Sequence, residues 1–224
     1  DMAYLLHALR SQDSFVDVGA NVGAYTLLAS GVCQARSYAF EPAPGTYQKL
    51  LDNIRLNDLG DRVEAFNAGV SDEKGTLRFT TGHDTMNHML GEGENAENCV
   101  EVDVVTLDEV LADADPAVMK VDVEGFETPV IRGASRLLAS DSLHSIIMEL
   151  NGSGERYGFD EQEVVDLLKR NGFEPYVYEP FDRALEPTDS CCSDTGNTLF
   201  IKDRDTVEER LKAAPERRVH NATI

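Results

Sequence analysis

The segment Phe15-Val16-Asp17-Val18-Gly19-Ala20-Asn21-Val22-Gly23 constrains the fold of this chain more than any other. An apolar run that ends at glycine is the mark of a buried parallel strand, here residues 14–18. Helical spacing starts again almost at once, over residues 22–30. Strand, tight Gly-x-Asn-x-Gly turn and helix therefore follow one another without a spacer. The alternation then repeats. Residues 37–41 form a second apolar run. Residues 44–57 are helical, with Tyr47, Leu50, Leu51 and Ile54 on one face and Gly60 just beyond the end. Residues 63–67 read as a third strand. A β-α-β-α-β order implies a parallel sheet with right-handed crossovers.

The middle of the chain differs. Residues 76–81 and 100–105 alternate like strands of a hairpin or meander. Between them lies 82–98, rich in Gly, Asn, Glu and His, a long loop for a compact domain. Residues 106–111 start a short helix capped by Thr106. Regular alternation then resumes, with a strand at 118–121, a helix at 127–138 and a strand at 145–150. Residues 160–171 form an amphipathic helix, with Asp160 as cap, Glu163 completing a capping box and Gly172 as the stop. Residues 174–178 and 198–202 close the sheet, with 179–196 as a loop between them. Residues 204–224 read as a short polar helix and a frayed tail. With no internal repeat and no interdomain linker, residues 1–203 are expected to form one domain and 204–224 an appendage. A chain of 224 residues buries a full core without disulfides.

Two constellations carry chemistry. In the first, glycines in the 19–23 turn let a ligand approach the backbone, and the helix that follows offers free N–H groups. Phe40-Glu41-Pro42 ends the second strand with an acid 24 positions beyond Asp17. That is close to the offset of about 20 residues for a ribose-binding carboxylate in a Rossmann unit. A carboxylate there accepts from both ribose hydroxyls. The turn departs from the Gly-x-Gly-x-x-Gly dinucleotide form. It therefore favours a single nucleoside with a short zwitterionic arm, S-adenosylmethionine (SAM), over NAD.

The second constellation is Val118-Met119-Lys120-Val121-Asp122-Val123-Glu124-Gly125-Phe126-Glu127. Lys120 interrupts an apolar strand, and acids cluster at the strand's carboxyl end, where open α/β sheets bind ligands. A charged Lys among carboxylates implies a paired network, because burying either alone is costly. Asp122 and Glu124 are the candidates to orient a substrate hydroxyl or accept its proton. Glu149, His83 and His88 are further candidate proton acceptors, and Glu127 reads equally well as a helix-start acid. His83 and His88 lie five apart with Asp84 between them, but no metal is assigned.

Composition narrows the partners. Asp plus Glu number 41 against 20 Lys plus Arg, for a net charge of −21. Such a chain repels nucleic-acid backbones and anionic membranes. Six Lys against fourteen Arg, on an acid-rich background, suits a halophilic source in which salt screens the self-repulsion. No run reaches the apolar length of a membrane span. Cys33, Cys99, Cys191 and Cys192 show no metal or redox spacing and read as thiols of a reducing cytoplasm. The sequence does not fix an oligomeric state.

Taken together, these residues resemble the FkbM family of SAM-dependent methyltransferases. The resemblance runs from about Ser14 to Lys202. It rests on the Asp17–Gly23 segment, Phe40-Glu41-Pro42 with Asn53 and Asn57, and Val70-Ser71-Asp72 with Gly75. Thr106-Leu107-Asp108, Lys120-Val121-Asp122-Val123-Glu124-Gly125, Gly133 and the strand ending at Glu149 complete it. It implies a Rossmann-like class I fold: a seven-stranded, mostly parallel sheet with an antiparallel last strand and helices on both faces. It also implies O-methylation of a sugar, glycan or small natural product. On this resemblance Asp17, Gly19, Ala20, Asn21 and Gly23 hold the methionine part of SAM, Glu41 the ribose, and Asn67 and Ala68 flank the adenine. Gly69 stands where related enzymes carry an acid that reads the adenine amino group, and Asp72 is the substitute. N- or C-methylation, a SAM-binding scaffold without turnover and an NAD-dependent oxidoreductase are the other readings.

Overall fold

The structure, a computed structural model, describes residues 1–80, 99–189, 197–219 and 222–224. Helix α1 (Met2–Ala8) precedes β1 (Ser14–Val18). Helix α2 (Ala24–Leu27) continues as a π-helical turn, Leu28–Val32, and leads to β2 (Arg36–Phe40), α3 (Pro44–Leu56) and β3 (Val63–Phe66). Strands β4 (Gly69–Val70), β5 (Gly75–Thr80) and β6 (Cys99–Val105) form a separate small sheet in the order β4-β6-β5. Then come α4 (Leu107–Val110), β7 (Val118–Val121), α5 (Glu127–Arg132), α6 (Ser135–Ala139) and β8 (Ser145–Glu149). Helix α7 (Glu161–Arg170) is followed by β9 (Glu174–Glu179), β10 (Ala184–Pro187) and β11 (Asn197–Ile201). Helix α8 (Arg204–Lys212) and the short strands β12 (Arg218–Val219) and β13 (Ala222–Thr223) end the chain.

The main sheet runs β10-β9-β11-β8-β7-β1-β2-β3. Strands β3, β2, β1, β7 and β8 are parallel, and β11 lies antiparallel between β8 and β9. These seven are the expected class I arrangement. An eighth strand, β10, adds to the edge by pairing antiparallel with β9. It lies inside the stretch expected to be a loop. Arg183 takes a left-handed φ of 51° at the turn and Leu185 is buried, which together bring the chain back along β9.

The core explains why these segments are strands. Val16, Phe40, Met119 and Ile146 are fully buried on β1, β2, β7 and β8. Each such side chain contributes about 1.5–3 kcal/mol through burial. The order reverses between β1 and β7, so their carboxyl ends open a crevice at the switch point.

Several local readings change in physical detail. The first crossover helix begins at Ala24, because Gly23 takes φ 93° to cap it. Gly60 is not the stop of α3; the chain turns at Asp58, with φ 53°. The helix expected over 127–138 is broken into α5 and α6 around Gly133. A Cβ there would meet the Ser71 carbonyl oxygen at 2.2 Å. Asp108 then accepts the N–H groups of Arg136 (2.8 Å) and Leu137 (3.2 Å), capping α6 from across the fold. Asp160 caps α7 as expected by accepting from Gln162 N, but Glu163 completes no capping box. Its carboxylate forks instead to the guanidinium of Arg132 at 2.6–2.9 Å.

Both chain ends described here are packed. Tyr4, Leu5 and Ala8 of α1 and Val207 and Leu211 of α8 are fully buried, so the C-terminal helix is docked and not frayed. Arg210 bridges them, donating to Ala8 O and forming an ion pair with Asp13.

Candidate active site

A cavity of about 280 Å³ opens at the switch point. One wall is built from the ends of β1, β2 and the β3–β4 link. Gly19 N and Ala20 N both donate to the Phe40 carbonyl, which ties the first turn to the end of β2. Asn21 is held at φ 52°, and its N–H donates to Glu41 Oε2 at 3.0 Å. Ala43 N donates to the other oxygen at 2.9 Å. Glu41 is thus clamped by two backbone donors while one side lines the cavity. Burial pushes its carboxyl up to about 7, against the two hydrogen bonds that favour the anion. Asn67 donates to the Glu41 and Pro42 carbonyls and fixes this corner.

The nine residues expected to hold the cofactor divide into two groups. Gly19, Asn21, Glu41 and Ala68 line the cavity, together with Gly69 and Val70. Asp17, Ala20, Gly23, Asn67 and Asp72 do not line it. Asp17 is buried and accepts from Thr26 N (3.1 Å) and Thr26 Oγ1 (2.6 Å), so it caps α2. Burial raises its carboxyl, opposed by Lys120 and the Thr26 hydrogen bonds. Asp72 is exposed and faces Arg132 at 3.8 Å, because the chain turns outward after β4. Gly19 also has a structural reason. At φ 78°, a Cβ there would sit 1.9 Å from the Asp122 carbonyl oxygen. The close approach at Gly19 is therefore made by the neighbouring strand, whatever a ligand adds.

The opposite wall carries the acids. Asp122, Glu124 and Glu149 line the cavity, and their carboxylate oxygens lie within 4.8 Å of one another. Lys120, 3% exposed, donates from Nζ to Asp122 Oδ2 at 2.6 Å. The same ammonium lies 4.8 Å from the centre of the Tyr25 ring. Burial opposes charge on Asp122, but Lys120 and the hydrogen bonds from Glu149 and Lys120 hold it below the usual carboxylate range. Glu124 adopts φ 53° and Gly125 φ 102°, a turn that a Cβ on Gly125 would push into Ser153 O at 2.5 Å. Glu127 fastens this turn by accepting from Val123 N (3.3 Å) and Gly125 N (3.1 Å). It is buried, does not line the cavity and holds backbone.

Aromatic side chains complete the cavity. Phe79 of β5 and Phe126 line it, and Phe126 meets Tyr157 edge-on at 5.4 Å. Neither Phe79 nor Phe126 was anticipated, although alternation along β5 does mark Phe79 as an inward position. The small sheet thus acts as a cover over the main-sheet crevice. His83, Asp84, His88, Cys191 and Cys192 lie outside the described residues, and Cys33 and Cys99 carry free thiols.

Comparison with known proteins agrees with this architecture. The methyltransferase FkbM domain matches residues 17–175. The hexuronic acid methyltransferase AglP of Haloferax volcanii is 29% identical over 169 residues, covering 73% of this chain and 64% of that protein. The chain thus spans somewhat less than two thirds of that relative's length. The 31-O-demethyl-FK506 methyltransferase FkbM of Streptomyces tacrolimicus is 28% identical over 212 residues, covering 77% of this chain and 78% of that one. A crystal structure of methyltransferase FkbM from Methylobacillus flagellatus shares the fold, with a TM-score of 0.58 at 16% identity. It covers 88% of this chain and 47% of that one. With the domain match spanning most of its length and the strand order in place, the chain belongs to the FkbM methyltransferase family.

Proposed function

We propose that this chain is a SAM-dependent O-methyltransferase acting on a hydroxyl of a sugar, glycan or small natural product. One observation carries the reading. A single cavity has a clamped carboxylate and a close-packed glycine turn on one wall and a lysine-anchored acid cluster on the other. The donor set fits the cofactor. Glu41 faces ribose hydroxyls, Gly19 and Asn21 leave room for the methionine arm, and Ala68–Val70 with Phe40 and Pro42 form an apolar slot suited to adenine. When bound, SAM supplies an electrophilic methyl group on a cationic sulfonium.

The residues of this chain do the remaining work. The 19–21 turn and Glu41 fix the cofactor, so that positioning supplies much of the rate. Asp122 and Glu124 orient the hydroxyl at the reacting end, where a carboxylate also accepts its proton. Phe79 and Phe126 exclude water and offer flat apolar faces to an acceptor. The name of one relative specifies an oxygen acceptor and that of another a sugar acid, which supports transfer to oxygen on such molecules.

We further infer residues 1–203 as the methyltransferase domain and 204–224 as a docked appendage. A cytoplasmic, halophilic setting agrees with the charge of −21, and the same charge disfavours nucleic acid as a partner. Among the described residues no helix is long and apolar enough to cross a membrane. The test is transfer of labelled methyl from SAM to neutral glycosides and macrolides in molar KCl. Alkali-stable label on an acceptor oxygen is expected. Label on nitrogen or carbon, or SAM binding with no transfer to any acceptor, would contradict the reading.

A further inference from the structure

We propose that Glu149, at the carboxyl end of β8, receives the acceptor's proton, and that Lys120, acting through Asp122, positions it for that role. The proposal rests on the methyl-transfer reading above. It reassigns the proton from Asp122, because Asp122 is already engaged. Lys120 sits beside Asp17 in the β1–β7 register and is almost wholly buried. A buried ammonium requires a counter-charge, and Asp122 supplies it at 2.6 Å. Tyr25 of α2 closes over the other side of the ammonium.

The carboxylate oxygens of Asp122 and Glu149 lie within 4.8 Å of each other at the carboxyl ends of β7 and β8. Two acids this close repel as a pair of anions and favour holding one proton between them. With Asp122 fixed as the anion, the proton resides on Glu149. Among the described residues, the charged and titratable groups facing Glu149 are Asp122 and Glu124 from the β7–α5 turn, Lys120 from β7 and Tyr25 from α2. Its register partner on β11 is the neutral Asn197. Burial first, then the hydrogen bond and charge of Asp122 and the charge of Glu124, push Glu149 up to about 7, with Lys120 opposing.

A cation entering this end of the cavity favours the ionised cluster. Glu149 therefore gives up its proton to solvent as the cofactor binds, leaving a carboxylate beside the acceptor hydroxyl. The acceptor oxygen then bonds to the methyl carbon as the carbon–sulfur bond breaks and its electron pair returns to sulfur. The hydroxyl proton passes to Glu149. The neutral product S-adenosylhomocysteine and protonated Glu149 restore the starting charge state, and one proton is released per turnover.

The test compares calorimetric binding of SAM and S-adenosylhomocysteine across the neutral pH range, with heats measured in phosphate and Tris to count protons. Glu41 also titrates near neutrality, but it faces a part common to both ligands. The ratio of the two affinities therefore isolates the sulfonium end. In the unaltered protein the preference for SAM rises with pH, by up to roughly tenfold per unit below the Glu149 value. SAM also releases more protons than S-adenosylhomocysteine. E149Q keeps SAM binding but flattens the ratio and abolishes the extra proton release. K120R retains the pH dependence, and K120M moves it to higher pH because the cation that opposes the rise of Glu149 is lost. Unchanged proton release in E149Q, or a pH-independent ratio in the unaltered protein, overturns the proposal. Failure of the unaltered, folded protein to bind SAM overturns the methyltransferase reading and this proposal with it. Binding without a pH effect overturns the proposal alone.

Discussion

The two walls of the cavity use carboxylates in opposite ways. On the wall built from β1 and β2, and in the turn behind the other wall, acids grip backbone. Asp17 holds Thr26 N, Glu41 holds Asn21 and Ala43 N, and Glu127 holds Val123 and Gly125 N. On the face of the other wall, Asp122 and Glu149 lie side by side, with Lys120 as anchor. An acid bound to main chain fixes a conformation. An acid bound to another acid retains a mobile proton. The first group builds the cleft and the second group equips it for reaction.

The junction between the walls is where disruption has its largest effect. Gly19 combines φ 78° with a Cβ position 1.9 Å from the Asp122 carbonyl. Gly19→Ala must move β7 away from β1, and strain and overpacking together cost about 3 kcal/mol or more. A denaturant melt should show that loss, with SAM binding weakened at the same time. A melt unchanged from that of the unaltered protein would mean the walls are not coupled through this contact.

Next in size is the separation of fastener from reagent. Asp17→Ala strips the cap from α2 and costs about 1–2 kcal/mol in the melt. It should weaken SAM only indirectly, through the 19–23 turn. A full loss of SAM binding with stability intact would make Asp17 a direct ligand after all.

The pH dependence of stability sharpens the contrast further. Glu127 has its carboxyl raised to about 7 by burial, against 4.5 as the ordinary value. Between these values the folded chain holds a proton that the unfolded chain has released, so its contribution to stability is lost as pH rises through about 7. His144 behaves oppositely. Burial and nearby Arg210 lower it to about 4 from 6.5, so stability falls as pH drops below 6.5 toward 4. Each effect is at most about 3 kcal/mol, and they offset one another between pH 4.5 and 6.5. Glu41 and Glu149, also raised to about 7, add the same downward trend as Glu127. In thermal melts across that window, Glu127→Gln should therefore make the slope of stability against pH more positive than in the unaltered protein, and His144→Asn should make it more negative. Parallel curves for the two variants would contradict both assignments.

Much of the architecture was legible because it is written in local pattern. Apolar runs ending at glycine gave β1 and the switch-point crevice, and the spacing from Asp17 to Glu41 placed an acid at the end of β2. What a side chain binds was less legible, because partners lie across turns and sheets. Asp17 reads as a ligand residue until Thr26 is seen folded back over it. Glu163 fits a capping box until Arg132, far away in sequence, proves the stronger partner. Asp108 and Gly133 are marks of the resemblance whose reasons, a cap for α6 and a contact with Ser71, exist only in three dimensions. Helix α1 was missed because seven residues with no side-chain cap carry little signal, and burial under α8 is what stabilises it. Glu149 was one candidate among several until its place beside the Lys120-paired Asp122 set it apart.

The central claim is that the cleft between β1 and β7 is a SAM site. Calorimetric titration of the purified protein with SAM in molar KCl, with NAD as control, tests it most directly. The account predicts saturable one-site binding of SAM and no heat from NAD. A folded sample that binds NAD, or that binds neither, would contradict it.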